Sequence, residues 1–247
     1  MHTYDWIIPD WPVSSRVKAV STTRAGGVST NNYSSMNLAL HVGDKSENVR
    51  QNRKILQSAM GYVPEPFWLR QSHSSKICKV AAITRDKTEA DASISFKAEE
   101  VCAVMTADCL PVLLTNKNAD TVAAVHAGWR GLAKGILEHT VNAFSKNPAD
   151  IYAWLGPAIG PYSFEVGSEV YEAFVTDYAK TDKAFVAQKN DKFLADIYLL
   201  ASLRLERAGV RNIYGSGFDT RQDERFFSYR QNPQTGRMAS LIWLQDE

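Results

Sequence analysis

The stretch AVMTADCLPVLLTNKNADTVAAVHAGWRGL, residues 103–132, decides the fold. It belongs to a series of apolar, β-branched runs, Val101 to Thr106, Pro111 to Thr115 and Thr121 to His126, separated by short turns and closed by GWRG. These runs, with Ile77 to Thr84 upstream, predict the strands of a sheet core. Downstream, Leu132 to Ser145 carries helical spacing, and Ile151 to Leu155 predicts a buried strand ended by Gly-Pro. Helices are expected at Gly167 to Ala179 and at Phe193 to Ala208, the latter stopped by Gly209. The tail predicts a hairpin with arms Phe226 to Arg230 and Met238 to Leu244.

Towards the N-terminus, Val17 to Thr23 predicts a short strand running into the glycine turn RAGGVS and a polar loop that extends to Asp44. Ser46 is placed to cap a helix from Glu47 to Met60, with Gly61 at the C′ position and an inward stripe of Val49, Arg53, Leu56 and Met60. Clustered strands interrupted by helices predict a mixed α/β (α+β) fold rather than strict βαβ alternation. No fixed-period repeat, low-complexity stretch or linker divides residues 1–247, so one domain is expected.

Composition removes whole classes of function. Twenty-eight Lys and Arg against 27 Asp and Glu leave a formal charge of +1, which provides no basic field for nucleic acid or anionic membrane. No apolar run reaches the roughly 20 residues of a bilayer span, and MHTYDWIIPDWP lacks the basic and apolar regions of a signal peptide. A cytoplasmic protein without an obligate protein partner is expected. Three cysteines, Cys78, Cys102 and Cys109, argue for reduced thiols rather than a disulfide framework, with Cys78 and Cys102 inside strand patterns.

There are five histidines: His2, His41, His73, His126 and His139. His73 (WLRQSHSSK) and His126 (VAAVHAGWRG) stand at strand ends or beside glycine turns, as does Cys109, where a rigid sheet meets room for substrate. Together they form a His-Cys-His set that suits zinc and leaves the fourth tetrahedral position open. The competing readings are a buried thiol beside a hydrogen-bonded histidine, and a Cys109 thiolate nucleophile with His126 or His73 as its base. Arg53 on an inward stripe needs an anion, either a substrate phosphate or a buried partner such as Asp108. Asn37 in SSMNLALHVGD can orient a substrate heteroatom or bond its own backbone, and His41 lies nearby. Trp129, beside His126, can wall a ring-binding pocket. His139 reads as a partly exposed helix residue, and His2 belongs to a terminus expected to fray.

Seven strings resemble, in order, the bacterial YfiH-like family: STTRAGGVS (21–29), WLRQSHSS (68–75), AVMTADCLPVLL (103–114), AVHAGWRGL (124–132), WLGPAIGP (154–161), FEVG (164–167), and FFSYR with TGRMASLIWL. The family has been called multicopper polyphenol oxidoreductase (laccase), purine nucleoside phosphorylase with adenosine deaminase activity, and peptidoglycan editing factor. The resemblance implies a single-domain αββα sandwich of two mixed sheets flanked by helices, with His73, Cys109 and His126 as the zinc site. The family's Asn and Arg motif residues fall on Asn37 and Arg53. Phe218 stands where relatives often have a cysteine, so no ligand role is expected there, and Ser72 and Ser74 replace an apolar residue and a glycine.

The activity so implied is zinc-dependent phosphorolysis of purine nucleosides, with deamination of adenosine at the same site. Zinc would activate water for deamination, and Arg53 would hold phosphate. The alternative is an amidase that edits cell-wall precursors by zinc-bound water or by Cys109. A blue copper site plus a trinuclear cluster would consume many more histidines than five, although copper in the three-ligand site stays open. A non-enzymatic reading closes the zinc site with a fourth ligand, His41 or Asp108.

Overall fold

A computed structural model describes residues 4–61, 63–144 and 147–246; His2 and Ser145 lie outside them. The chain order begins β1 (Val17–Ser21), α1 (Ser46–Ala59), β2 (Ile77–Lys79), β3 (Ala92–Ser95), β4 (Cys102–Thr106), β5 (Leu110–Asn116), β6 (Val122–Ala127). It continues α2 (Trp129–Ala133), α3 (Ile136–Phe144), β7 (Ile151–Leu155), β8 (Glu165–Gly167), α4 (Ser168–Val175), β9 (Phe185–Ala187). It ends with β10 (Lys192–Ala195), α5 (Ile197–Arg207), β11 (Asn212–Gly215) and β12 (Met238–Leu244).

The continuous apolar character of β4 has a layered cause, because the strand is buried on both faces. By strand alternation, Cys102 and Val104 face one way and Ala103 and Met105 the other. The first pair packs with Leu113, Val122, Ala124 and Trp154 of the large sheet; the second packs with Leu241 and Trp243 against Leu56 of α1. The small sheet has order β1-β12-β4 and is antiparallel, with a parallel bridge from Phe67 to Cys102 at its β4 edge. The large sheet has order β11-β7-β5-β6-β3-β2, with parallel pairs at its two ends and antiparallel pairs between. Its other face carries α3 and α5 through Leu137, Val141, Leu200 and Leu205. The order helix, sheet, sheet, helix is the αββα arrangement. A third sheet, β8-β10-β9, stands apart from both.

Several local expectations are corrected. The tail is not a hairpin: β12 pairs along Ser240–Leu244 with β1 and along Met238–Ile242 with β4, so neither edge is left for residues 226–230. Phe226 and Phe227 instead pack under Ala107 and Met238. The run from Ile77 stops as a strand at Lys79 and turns through a 3-10 turn at Val80–Ala82. The helix expected from Leu132 is two helices, because Gly135 adopts φ +79°, a left-handed value that ends α2. Residues 193–195 belong to β10, and Asp196 caps α5 by accepting from the Leu199 N–H at 2.9 Å. Residues 165–167 likewise form a strand before α4. Ser46 is the first residue of α1 rather than its cap, and its hydroxyl accepts from Arg50 one turn on. Gly61 does follow α1 in a left-handed conformation, φ +82°.

Candidate metal centre

Adjacent antiparallel strands bring Cys109 and His126 together. Cys109 immediately precedes β5, and His126 pairs with Pro111 near the matching end of β6. Asp108, at φ +87°, makes the turn from β4 into β5. His73 comes from a separate loop and sits at φ +59°. The three donor atoms lie within 4.8 Å of one another, and His73 Nε2 is 3.6 Å from Cys109 Sγ. A tetrahedral zinc with ordinary Zn–N and Zn–S bonds separates those two ligand atoms by about 3.5 Å, so this pair fits the ion in spacing and the three donors fit it in chemistry. Gly128 makes the approach possible: a Cβ there would meet His73 Cδ2 at 2.9 Å and Cys109 Sγ at 3.0 Å.

Asp91, fully buried at the start of β3, collects the donors. Its Oδ1 accepts from His126 Nδ1 at 2.8 Å and from the His73 backbone N–H at 3.0 Å. Its Oδ2 accepts from the backbone N–H and hydroxyl of Ser74, at 2.7 and 2.6 Å. The His126 backbone N–H donates to the Asp91 carbonyl at 2.7 Å. With Nδ1 so held, His126 turns Nε2 toward the site, the outer-shell arrangement that orients a metal-binding imidazole. Burial works against the Asp91 charge, but hydrogen bonds from His126 and Ser74 outweigh it and hold the carboxyl well below the usual carboxylate range. Burial also opposes charge on Cys109 and His126. Their mutual attraction prevails, lowering the thiol and raising the imidazole, with His73 helping on the first and Asp91 on the second.

Two cavities share His73, Ala107 and Cys109 as a common wall. The smaller, about 100 Å³, also meets His126 and is lined by His41, Gln71 and Arg237. The larger, about 250 Å³, is lined by Trp129, Phe164, Tyr229, Arg130 and Arg230. Burial, and then the charge of Arg237, lower the pKa of His41. Trp129 is thus at a cavity wall, and His41 faces the metal pocket.

Asn37 and Arg53 line neither cavity. Arg53 donates to both oxygens of Asp86, at 2.7 and 2.9 Å, and to the Leu38 carbonyl at 3.1 Å; its partner is Asp86, not Asp108. Buried Asn37 donates to Asp44 at 2.9 Å and accepts from the backbone N–H of Ala39 at 3.1 Å and of Arg237 at 3.0 Å. Asp108 is committed elsewhere, accepting from the Thr220 hydroxyl at 2.7 Å and the Arg230 N–H at 2.6 Å. Ser72 bonds Glu89, and Phe218 packs edge-on against Phe226 in an apolar cluster. His139 is exposed on α3. Sequence reasoning missed Asp91 and Arg237. The signal for Asp91 was available, an acid set directly against a run that is buried throughout, the same cue that singled out Arg53.

Fold and site define a layered α/β protein with an orientated His-Cys-His donor set at the mouth of a paired cavity. The chain belongs to the multi-copper polyphenol oxidoreductase laccase family, whose model matches residues 18–245. It is 52% identical over 239 residues to a protein of Escherichia coli (strain K12) named purine nucleoside phosphorylase YfiH, covering 96% of this chain and 98% of that one. A purine nucleoside phosphorylase of Pseudomonas aeruginosa is 47% identical over 98% of this chain and 99% of its own. The crystal structure of a Neisseria meningitidis protein superposes with a TM-score of 0.95 at 46% identity, covering 98% of this chain and 100% of that one. Among the described residues no helix is long and apolar enough to cross a membrane.

Proposed function

We propose that the chain is a single-domain, zinc-dependent purine nucleoside phosphorylase. The observation that carries the proposal is the pairing of cavities across the donor set: a small cationic pocket beside a larger aromatic one, with His73 and Cys109 between them. The names of its relatives support the same reaction. In phosphorolysis a phosphate oxygen bonds to ribose C1′ as the C1′–N9 bond breaks; the bonding pair passes to N9 and the base leaves after taking up a proton.

His73, Cys109 and His126 would hold the zinc, which when bound supplies Lewis-acid stabilisation of developing negative charge. Trp129, Phe164 and Tyr229 offer ring faces to a purine. Asp91 keeps His126 in one tautomer. Deamination of adenosine is a second reading, favoured by His41, an imidazole facing the metal pocket and able to carry a proton.

The test is product analysis of adenosine and inosine incubated with zinc-loaded protein, with and without phosphate, beside Cys109→Ala. Phosphate-dependent release of free base, absent in the variant, is the expected result. Conversion of adenosine to inosine establishes the second reading. If neither product forms, phosphorolysis is wrong, and amide cleavage in cell-wall precursors becomes the reaction to assay. Loss of that cleavage on chelation would assign it to the metal, and loss only on alkylation to the Cys109 thiolate.

A further inference from the structure

Three arginines line the paired cavities, and they differ in solvation. Arg130 and Arg230 are exposed, whereas Arg237 is half-buried. The ion pairs among the described residues include none to Arg237. Its Nη1 donates to the carbonyls of Thr235 and Gly236, at 2.9 and 3.0 Å, which fixes one edge of the guanidinium against its own turn. Nε and Nη2 have no protein acceptor among the described residues. A partly desolvated cation without a carboxylate is costly, and an anion in the pocket it lines would offset that cost.

The backbone at Arg237 is held unusually firmly for a loop residue. Its N–H donates to Asn37 Oδ1 at 3.0 Å, and its carbonyl accepts from the Leu38 N–H at 3.2 Å. Asn37 is fixed by Asp44, and the Leu38 carbonyl accepts from Arg53. Asn37 therefore positions the wall that carries Arg237, Arg53 touches that wall only through the Leu38 carbonyl, and neither side chain lines a cavity. The cavity sizes divide the substrates: about 100 Å³ accommodates a small oxyanion beside the donors, while a ligand of nucleoside size needs at least the adjoining 250 Å³.

We infer that Arg237 is the anion-binding residue of the metal pocket, holding inorganic phosphate there while the nucleoside occupies the aromatic cavity. This rests on the phosphorolysis reading for the identity of the reaction, but not for the anion site itself. The guanidinium would bind two phosphate oxygens, leaving another directed across the shared His73 and Cys109 wall toward C1′.

Two measurements on full-length Arg237→Met and Arg237→Lys test the inference: calorimetric titration with inorganic phosphate, in metal-free and zinc-loaded protein, and steady-state kinetics with each substrate varied. Arg237→Met is expected to weaken phosphate binding and raise the phosphate KM by about tenfold or more, with the inosine KM changed less than about twofold. Arg237→Lys, which keeps the charge but loses the fork, falls between. The inference is overturned if wild-type protein does not bind millimolar phosphate, or if both variants bind it as wild type does. It is also overturned if phosphate binding is lost instead in Arg130→Met or Arg230→Met. If Arg237→Met does not fold, Arg237→Lys decides by the same criteria. If wild type binds phosphate but cleaves no nucleoside, and the Arg237 variants lose that binding, the anion site stands and only the phosphorolysis reading falls.

Discussion

Two fully buried side chains organise two parts of the lining of the metal pocket, and they do so with different chemistry. Asp91 serves the donor wall, where its partners are an imidazole N–H, three backbone N–H groups and a hydroxyl. Asn37 serves the wall of Arg237, where it must donate to Asp44 and a carbonyl while accepting from two N–H groups. An ionised carboxylate only accepts, so it suits a cluster made of donors; a carboxamide does both and adds no charge beside Asp44. The difference teaches that the donor wall is an electrostatic device and the wall of Arg237 a geometric one.

Removing a donor outright has the largest effect. Cys109→Ala should lower bound metal to background after dialysis, measured by elemental analysis, and abolish phosphorolysis, while the far-ultraviolet circular dichroism remains that of wild type. Retention of stoichiometric metal would show that His73 and His126 suffice and that the donor wall is not what it is described to be.

Asp91→Asn comes next, with metal affinity or activity reduced by about 10- to 100-fold in a chelator-competition titration. This variant also separates the walls by pH. The Asp91 carboxyl is held below its unfolded value, so its contribution to stability is fully present above about pH 4 and is lost as pH falls through the lowered folded value. Acid unfolding monitored by circular dichroism should therefore be shallower below pH 4 in Asp91→Asn than in wild type. Metal binding should follow different groups. In the metal-free protein the His126 imidazole is raised, so it must lose a proton to bind, and affinity should fall as pH drops from 8 to 6. A pH-independent affinity across that range would remove the imidazole from the site.

Asn37→Ala is expected to leave metal content unchanged, to raise the phosphate KM by about three- to tenfold, and to cost about 1–3 kcal/mol in denaturant unfolding, because buried partners lose their acceptor and donor. A loss of metal instead would mean the walls are not separable. The smallest effect on catalysis belongs to Arg53→Met: about 2 kcal/mol of stability from the broken Asp86 pair, with both KM values within about twofold of wild type. A large rise in the phosphate KM alone would restore Arg53 as a phosphate ligand.

The legibility of the chain follows the same division. The apolar runs of β4, β5 and β6 and the turns between them were readable because burial on both faces leaves a local, continuous signature. The same pattern put Cys109 and His126 at strand ends or beside glycine turns; that they meet at one end of a sheet follows from the pairing of β5 with β6. Residues 226–230 show the opposite case: β-prone by composition, they form no strand because β12 already spends both edges on β1 and β4, far away in the chain. Residues 193–195 failed similarly, an apolar triplet that strand pairing took from the helix.

What the sequence by itself determined is the candidate donors, the apolar strand runs and the glycine turns beside them, since each rests on residue chemistry or local pattern; that Gly128 lets two donors close on each other shows only in the folded chain. Only the tertiary structure decided the partners. The pairing of Arg53 with Asp86, the hold of Asn37 on the backbone of Arg237 and the place of Asp91 between two histidines all depend on contacts between segments 18 to 200 residues apart. A buried polar group shows in sequence that it needs a partner, but satisfaction is set by which backbone the fold brings within 3 Å.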